Sequence, residues 1–348
     1  MSLRLRQLAK GLFVVCAVLG IAGSAHGKPL YAITKTVSLG TPDWWDYLFF
    51  DAPTHRVYIA HGDHLNVING RTGARIGEVN GFPGGTHGIA IVESVGRGYT
   101  DDGDSGQAGS FDLKTLKPLK RIKAEDDADG MAYDTASGHI FVVDSDLGHL
   151  TVIDPKTDTP IATIDGGGKL EFAVVDGTGN LYVNGEAKHE IVHVDTKTNE
   201  VLAHWAMPTC ESPHGLAIDI KSRRLFSSCR NGTLVVLDAD SGEIVTTLPI
   251  GNGSDAAKID PNRNRIFSSN FDGTVTVISE KGPNSFEVMG SVPTALGART
   301  MAVDPQSGRL YVVAADMTLN KDADPTDFRH RFTIKPGSTK LLFIDPVE

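Results

Sequence analysis

Apolar and polar residues alternate along most of the chain in short runs bounded by Gly, Asp, Asn or Ser, the pattern of strands joined by tight turns. The runs repeat. Aligned on the residue that ends an apolar run, seven copies of a pattern about forty-two residues long lie between Trp44 and the C-terminus, with anchors Asp51, Val92, Asp134, Asp176, Asp219, Asp260 and Asp304. Five positions past six of the anchors stand Arg56, Arg97, His139, Arg224, Arg265 and Arg309, each opening a run such as Val57-Tyr58-Ile59 or Leu310-Tyr311-Val312. The fourth copy, from Asp176 to Asn180, is one residue short. A third run ends at Asn69, Asp112, Asp154, Asp195, Asp238, Ser279 or Asp345, and in most copies a turn and a fourth alternation follow, as in Glu243 to Leu248.

Four short strands per copy at this period predict an all-β protein, a seven-bladed β-propeller with four antiparallel strands per blade. The seventh copy stops after its third strand, while the alternating stretch Tyr31 to Val37 precedes the first copy. A strand over about 30–38 is therefore expected to complete blade seven and close the ring, removing two sheet edges that would otherwise template association. Blade seven also carries an insertion over about 316–339, a length that marks a functional or a disordered loop. Seven blades consume the chain from 28 to 348 as one domain.

The second-strand segments Tyr58-Ile59-Ala60-His61, Tyr99-Thr100-Asp101-Asp102, Tyr182-Val183-Asn184 and Phe267-Ser268-Ser269-Asn270 read as degenerate copies of Tyr-Val-Thr-Asn. With the Val-Ile-Asp and Thr-Gly elements that follow them, the chain resembles the bacterial YVTN-repeat, YncE-like seven-bladed β-propellers over nearly all of its length past the first 27 residues. The resemblance implies a secreted protein, and some relatives in the wider propeller group are lactonases or lyases. The matching residues are turn and core residues, so the resemblance speaks to fold more than to activity.

Residues 1–27 carry Arg4, Arg6 and Lys10, then the apolar run Leu12 to Ile21, then Ala25-His26-Gly27. This is the layout of a secretory signal peptide, too short in its apolar core for a membrane span, and it predicts a periplasmic or secreted protein without stable membrane insertion after cleavage. Cleavage removes three basic residues and takes the formal charge from −10 to −13. So acidic a surface argues against nucleic acid as a partner, because such binding runs on basic patches and released counterions. Cys16 leaves with the leader. Cys210 and Cys229 fall in two loops at the same rim of blade five, where an oxidising compartment favours a disulfide; a two-thiolate metal site is the alternative, and no further cysteine is present to fill its shell.

Five residues before the anchors, at the head of each innermost strand, stand Asp46, His87, Asp129, Glu171, His214, Asp255 and Arg299. All seven are ionisable, which folding does not require, and small neighbours such as Gly88, Gly130, Gly215 and Ala256 leave room beside them. The loops between second and third strands add Asp63, His64, Asp101, Asp102, Asp104, Asp144, Asp146, Glu186 and Asp272 on the same face. The expected result is an acidic mouth to the central channel, with Trp44 and Trp45 at its edge as ring-stacking residues or hydrophobic plugs, Trp45 being the one set among the ligand-binding residues. Carboxylates with imidazole are divalent-cation ligand chemistry, which makes a divalent metal ion the candidate cofactor, with Asp129, Glu171 and Asp255 as its ligands.

The expected function is binding of a small molecule, a metal or a protein partner at this mouth. A metal-dependent lactonase or lyase is the alternative: the metal would polarise a carbonyl, His87 or His214 would act as general base, Glu171 would hold the metal, and Arg299 would clamp a substrate carboxylate. A protein-interaction scaffold is the third reading. The sequence has no Gly-x-Ser-x-Gly elbow, phosphate-binding glycine loop, Cys-x-x-Cys-His or His-Glu-x-x-His, so those enzyme classes lack their signatures.

Overall fold

The structure is a computed structural model and describes residues 30–320 and 332–347. Residues 1–27, where a leader is expected, lie outside the described residues, as does 321–331 within the insertion.

The anchor aspartates of blades three to seven cap the turn between the first two strands, while Asp51 in blade one accepts the Thr54 hydroxyl instead. In those five the carboxylate accepts a backbone N–H two or three residues on, as from Ser137 to Asp134 at 2.9 Å, Thr178 to Asp176 at 2.8 Å, Lys221 to Asp219 at 2.9 Å and Asn262 to Asp260 at 3.0 Å. This Asx geometry lets a hairpin reverse without exposing unpaired amides. The second copy, whose anchor is Val92, uses a single turn of 3-10 helix, Glu93–Val95, closed by Gly96 at φ 67°.

Seven four-stranded antiparallel sheets result. Blade one is typical, with strands Leu48–Asp51, Arg56–His61, His64–Asn69 and Arg75–Asn80 from the inside outward. The innermost strands contact one another in sequence round the ring, and that of blade seven, Arg299–Asp304, touches that of blade one. Blade seven borrows its outer strand as the sequence predicts: Tyr31–Gly40 pairs with Thr339–Pro346, which pairs with Arg309–Ala314. The insertion leaves this blade as a short ribbon, Met317–Leu319 against Phe332–Ile334.

The core lies between the blades. Phe267 and Val277 of blade six pack on Met301, Val312 and Ile344 of blade seven, all buried, and comparable clusters fill other blade interfaces. Burial of this kind is the main favourable term in folding. Tyr99 and Tyr182 of the Tyr-Val-Thr-Asn segments, and Tyr311 at the same position of the seventh copy, add a polar tie to the next blade. The Tyr99 hydroxyl donates to Asp158 at 2.6 Å, Tyr182 to the Ala239 carbonyl at 2.8 Å and Tyr311 to the Gly70 carbonyl at 2.9 Å. A buried aromatic body with a satisfied hydroxyl suits an interface between two sheets.

Cys210 and Cys229 form a disulfide with their Cα atoms 5.4 Å apart, as the loop placement predicts. Among the described residues no helix is long and apolar enough to cross a membrane.

Candidate functional site

A break in pairing at the head of the innermost strands aims the mouth residues. Between first and second strands the register slips at Ala128/Gly130, Leu170/Ala173, Pro213/Gly215 and Ser254/Ala256, so that Asp129, Glu171, His214 and Asp255 have no partner across the ladder. A bulge of this kind bends its strand and redirects the extra side chain, here toward the channel. The small neighbours answer a different need from the one the sequence suggests. A Cβ on Gly88 would lie 2.5 Å from the backbone of Gly130 and Met131, and one on Gly215 would lie 2.2 Å from the backbone of Ala257. Close approach of adjacent inner strands demands these glycines; room beside the charge does not.

The seven leading residues divide into two clusters and a pair. In the first cluster, donor atoms of Asp46, His87 and Asp129 all lie within 4.8 Å of one another. His87 is fastened from behind by the fully buried Asp101, which accepts the backbone N–H groups of His87 at 2.6 Å and Gly88 at 2.5 Å and meets the His87 Nδ1 at 3.2 Å. Burial opposes a charge on this imidazole, but Asp101, Asp46 and Asp129 outweigh it and push its pKa up to about 10. Burial, aided by Asp129, raises the Asp46 carboxyl to about 8, and burial raises Asp129 to about 6.

In the second cluster, Glu171, Glu186 and His214 bring their donor atoms within 4.8 Å of one another. The His214 ring sits with Nε2 3.6 Å from Glu171 and Nδ1 3.8 Å from Glu186. Burial, helped by the nearby charge of Arg230, lowers His214 to about 4, which leaves it neutral. Burial and the neighbouring Asp129 and Glu186 raise the Glu171 carboxyl well above its usual range. Glu186 goes the other way: burial works against its charge, but the Ser212 hydroxyl at 2.5 Å, His214 and Lys169 at 3.1 Å bring it down to about 2.

Asp255 and Arg299 form the pair, with Nε 4.0 Å from a carboxylate oxygen. The guanidinium also donates to the Trp45 carbonyl at 3.3 Å and lies over the Trp45 ring, 5.9 Å from its centroid. These two residues line a cavity of about 260 Å³ together with Arg230, Gly253 and Phe271.

Three sequence-based expectations are corrected. Asp129, Glu171 and Asp255 do not gather as one ligand set; ring curvature sends Asp129 to His87, Glu171 to His214 and Asp255 to Arg299. Of the two readings of the tryptophan pair, Trp45 takes the plug, 1% exposed in the core and so without a face for a ligand, whereas Trp44 is exposed and lies 5.8 Å from the His87 ring. His87, held as a cation, is unfit as a general base near neutral pH. The loop acids are mostly structural. Asp102 pairs with Arg121 and accepts the Gly84 N–H at 2.6 Å, and Asp272 accepts the Asn252 N–H at 2.8 Å. Only Asp101 and Glu186 serve the clusters.

Sequence reasoning also missed a bar across the channel. Tyr47 of blade one and Phe172 of blade four meet edge to face, 4.9 Å between centroids, and the Lys258 ammonium of blade six sits 4.0 Å from the Phe172 ring centroid. Tyr47 follows Asp46 and Phe172 follows Glu171, so this bar floors the charged mouth. Their succession, an acid and then an aromatic in two copies only, was the available signal.

No family model matches the chain. It is 25% identical over 224 residues to the uncharacterized protein YncE of Salmonella typhi and equally to that of Salmonella typhimurium, over 62% of this chain and 63% of those relatives. The alignment thus spans under two thirds of the relatives' length. Among solved structures, U3-55K and the WD40 repeats of RRP9 each superpose with a TM-score of 0.73 at 10% identity, over 90% of this chain and 98% and 97% of theirs. Hydrazine synthase of Kuenenia stuttgartiensis superposes with a TM-score of 0.68 at 14% identity, over 76% of this chain and 91% of that one. At such identities the structural likeness speaks to the propeller fold alone.

Proposed function

We propose that this YncE-like seven-bladed propeller is a periplasmic or secreted binding protein that holds a divalent cation at the charged mouth of its channel, with Glu171, Glu186 and His214 as ligands. The observation that carries the reading is the convergence of these donor atoms within 4.8 Å, two carboxylates and an imidazole kept neutral. Metal binding requires a deprotonated imidazole, and burial has already removed the proton that a metal would otherwise displace. Glu171, crowded by other acids, is the group whose charge a dication would relieve. The sites that supply such ligands from several strands of a rigid scaffold are well held for this work. The leader-like segment and the disulfide support the compartment.

The test is metal analysis of purified protein dialysed against zinc, manganese or calcium, with His214→Ala and Glu171→Ala beside the wild type. One equivalent of bound metal, lost in both variants, is the expected result. Wild-type protein that retains no metal under any of the three conditions sinks the reading.

A lactone- or ester-cleaving activity is the second reading, and the opposite charge of the two histidines favours one form of it. His214, neutral, is then the group left to take a proton from water whenever it is not bound to metal, while Arg299 beside Asp255 faces a cavity where a substrate carboxylate would sit. Turnover of a lactone panel that survives His87→Gln and disappears in His214→Gln would establish it.

A further inference from the structure

Below the Tyr47–Phe172 bar the channel changes character. A pocket of about 420 Å³ runs from the bar along the inner strands, within the size range of small-molecule sites at roughly 300–1,000 Å³. Its walls are apolar, with Ile89, Met131, Val174, Ile218 and Val303 among them, and Lys258 is the one residue with a formal charge that lines it. Lys258 stands two positions before its anchor, where the other six copies carry Phe49, Ala90, Ala132, Val174, Ala217 and Ala302. The repeat asks for an apolar side chain there, and one blade alone departs from it.

The ammonium crosses the channel to the Phe172 ring and makes no hydrogen bond or ion pair with any described residue. Its surroundings act on it by burial alone, which lowers its pKa to about 8, and the remaining titratable groups on the pocket wall are the phenols of Tyr47 and Tyr133. An amine confined in an apolar space without a counter-charge is a costly arrangement unless something pairs with it.

We infer that this pocket binds a small amphiphilic carboxylate, its aliphatic or aromatic body against the apolar wall and its carboxylate on the Lys258 ammonium. Charge complementarity selects the head group, because a neutral molecule would leave the ammonium unpaired and a cation would be repelled. The site is separate from the metal ligands above the bar.

Isothermal titration with octanoate tests the assignment, with octan-1-ol as the neutral probe of equal length. Saturable octanoate binding is expected in the wild type, at least about tenfold weaker in Lys258→Met and largely kept in Lys258→Arg, which retains the charge. Octan-1-ol should bind more weakly than octanoate to the wild type and gain on Lys258→Met. Thermal melts of the three proteins guard against a folding defect, and the Arg variant carries the charge test if Lys258→Met fails to fold. The inference is overturned if octanoate does not bind, if Lys258→Met binds it as well as the wild type, if Lys258→Arg loses it, or if octan-1-ol binds the wild type as tightly.

Discussion

His87 and His214 occupy the same position in two copies of the repeat, three blades apart, and the fold gives them opposite charge. Both rings are largely withdrawn from water, so burial alone would keep both neutral. Part of the difference comes from the second strand. Nine positions past the anchor, blade two has Asp101 and blade five has Ser228. Asp101 grips the backbone and ring of His87, whereas the Ser228 hydroxyl reaches the Gly215 carbonyl at 3.4 Å. The residue behind the channel wall, together with Asp46 and Asp129 beside His87 and with Arg230 near His214, thus separates a fixed cation from a ready lone pair. A repeat fold can reuse one backbone position for two chemistries by changing what stands behind and beside it.

The comparison breaks most visibly at Asp101. Asp101→Asn removes the counter-charge of His87 and turns one of two acceptor oxygens into a donor facing buried N–H groups, and chemical denaturation should register a loss of about 2–4 kcal/mol near neutral pH. The sign of the pH dependence follows from the raised pKa of His87. Its contribution is complete below the ordinary value of 6.5 and fades as pH rises through about 10, so the gap between wild type and variant should narrow over that interval. A gap that widens with pH would mean that His87 is not the charged partner.

Glu171 gives a smaller effect of opposite sign. Its pKa lies above the ordinary 4.5 in the folded state, so its contribution to stability is present below that value and is lost as pH rises. Metal-free Glu171→Gln should therefore be more stable than metal-free wild type by about 0.5–1.5 kcal/mol at pH 7 to 8, with the advantage gone below pH 4.5. Thermal melts at the two extremes decide it, and equal melting at pH 8 would count against the crowding of acids in this cluster. The smallest effect sharpens the comparison by transplanting it. Ser228→Asp places a carboxylate behind His214, and nuclear magnetic resonance titration should find the imidazole moved up from about 4 by about half a unit, roughly 0.7 kcal/mol. A ring that does not move would show that position nine is not the determinant.

Much of the fold was legible because the repeat is a statement about turns and core. Asp134, Asp176 and Asp260 recur since each caps the same turn, and Tyr99, Tyr182 and Tyr311 recur since each ties the same interface. The ring of leading residues was legible for the same reason, as a column in an alignment of copies. Which members of the column meet was not, because that depends on curvature and bulges, and it separated Asp255 from Glu171 and Asp129. Burial of Trp45 beside exposed Trp44 turns on the direction of one side chain at a loop, which the period of an adjacent strand does not set. Lys258 was legible in principle as the one charged member of an apolar column, set further along the inner strand than the column of mouth residues.

Closure of the ring imposes a delay on biogenesis. Thr34 and Asp345 touch in the finished blade, yet they stand 311 positions apart in the chain. At ribosomal speeds of roughly 5–20 residues per second, the strand at Tyr31–Gly40 is made on the order of half a minute before its partner exists, and it must stay uncommitted at least that long wherever the chain folds. Throughout that time six blades can assemble while an edge at either end stays open to the wrong strand. A chain that lost its last ten residues would keep that edge for good.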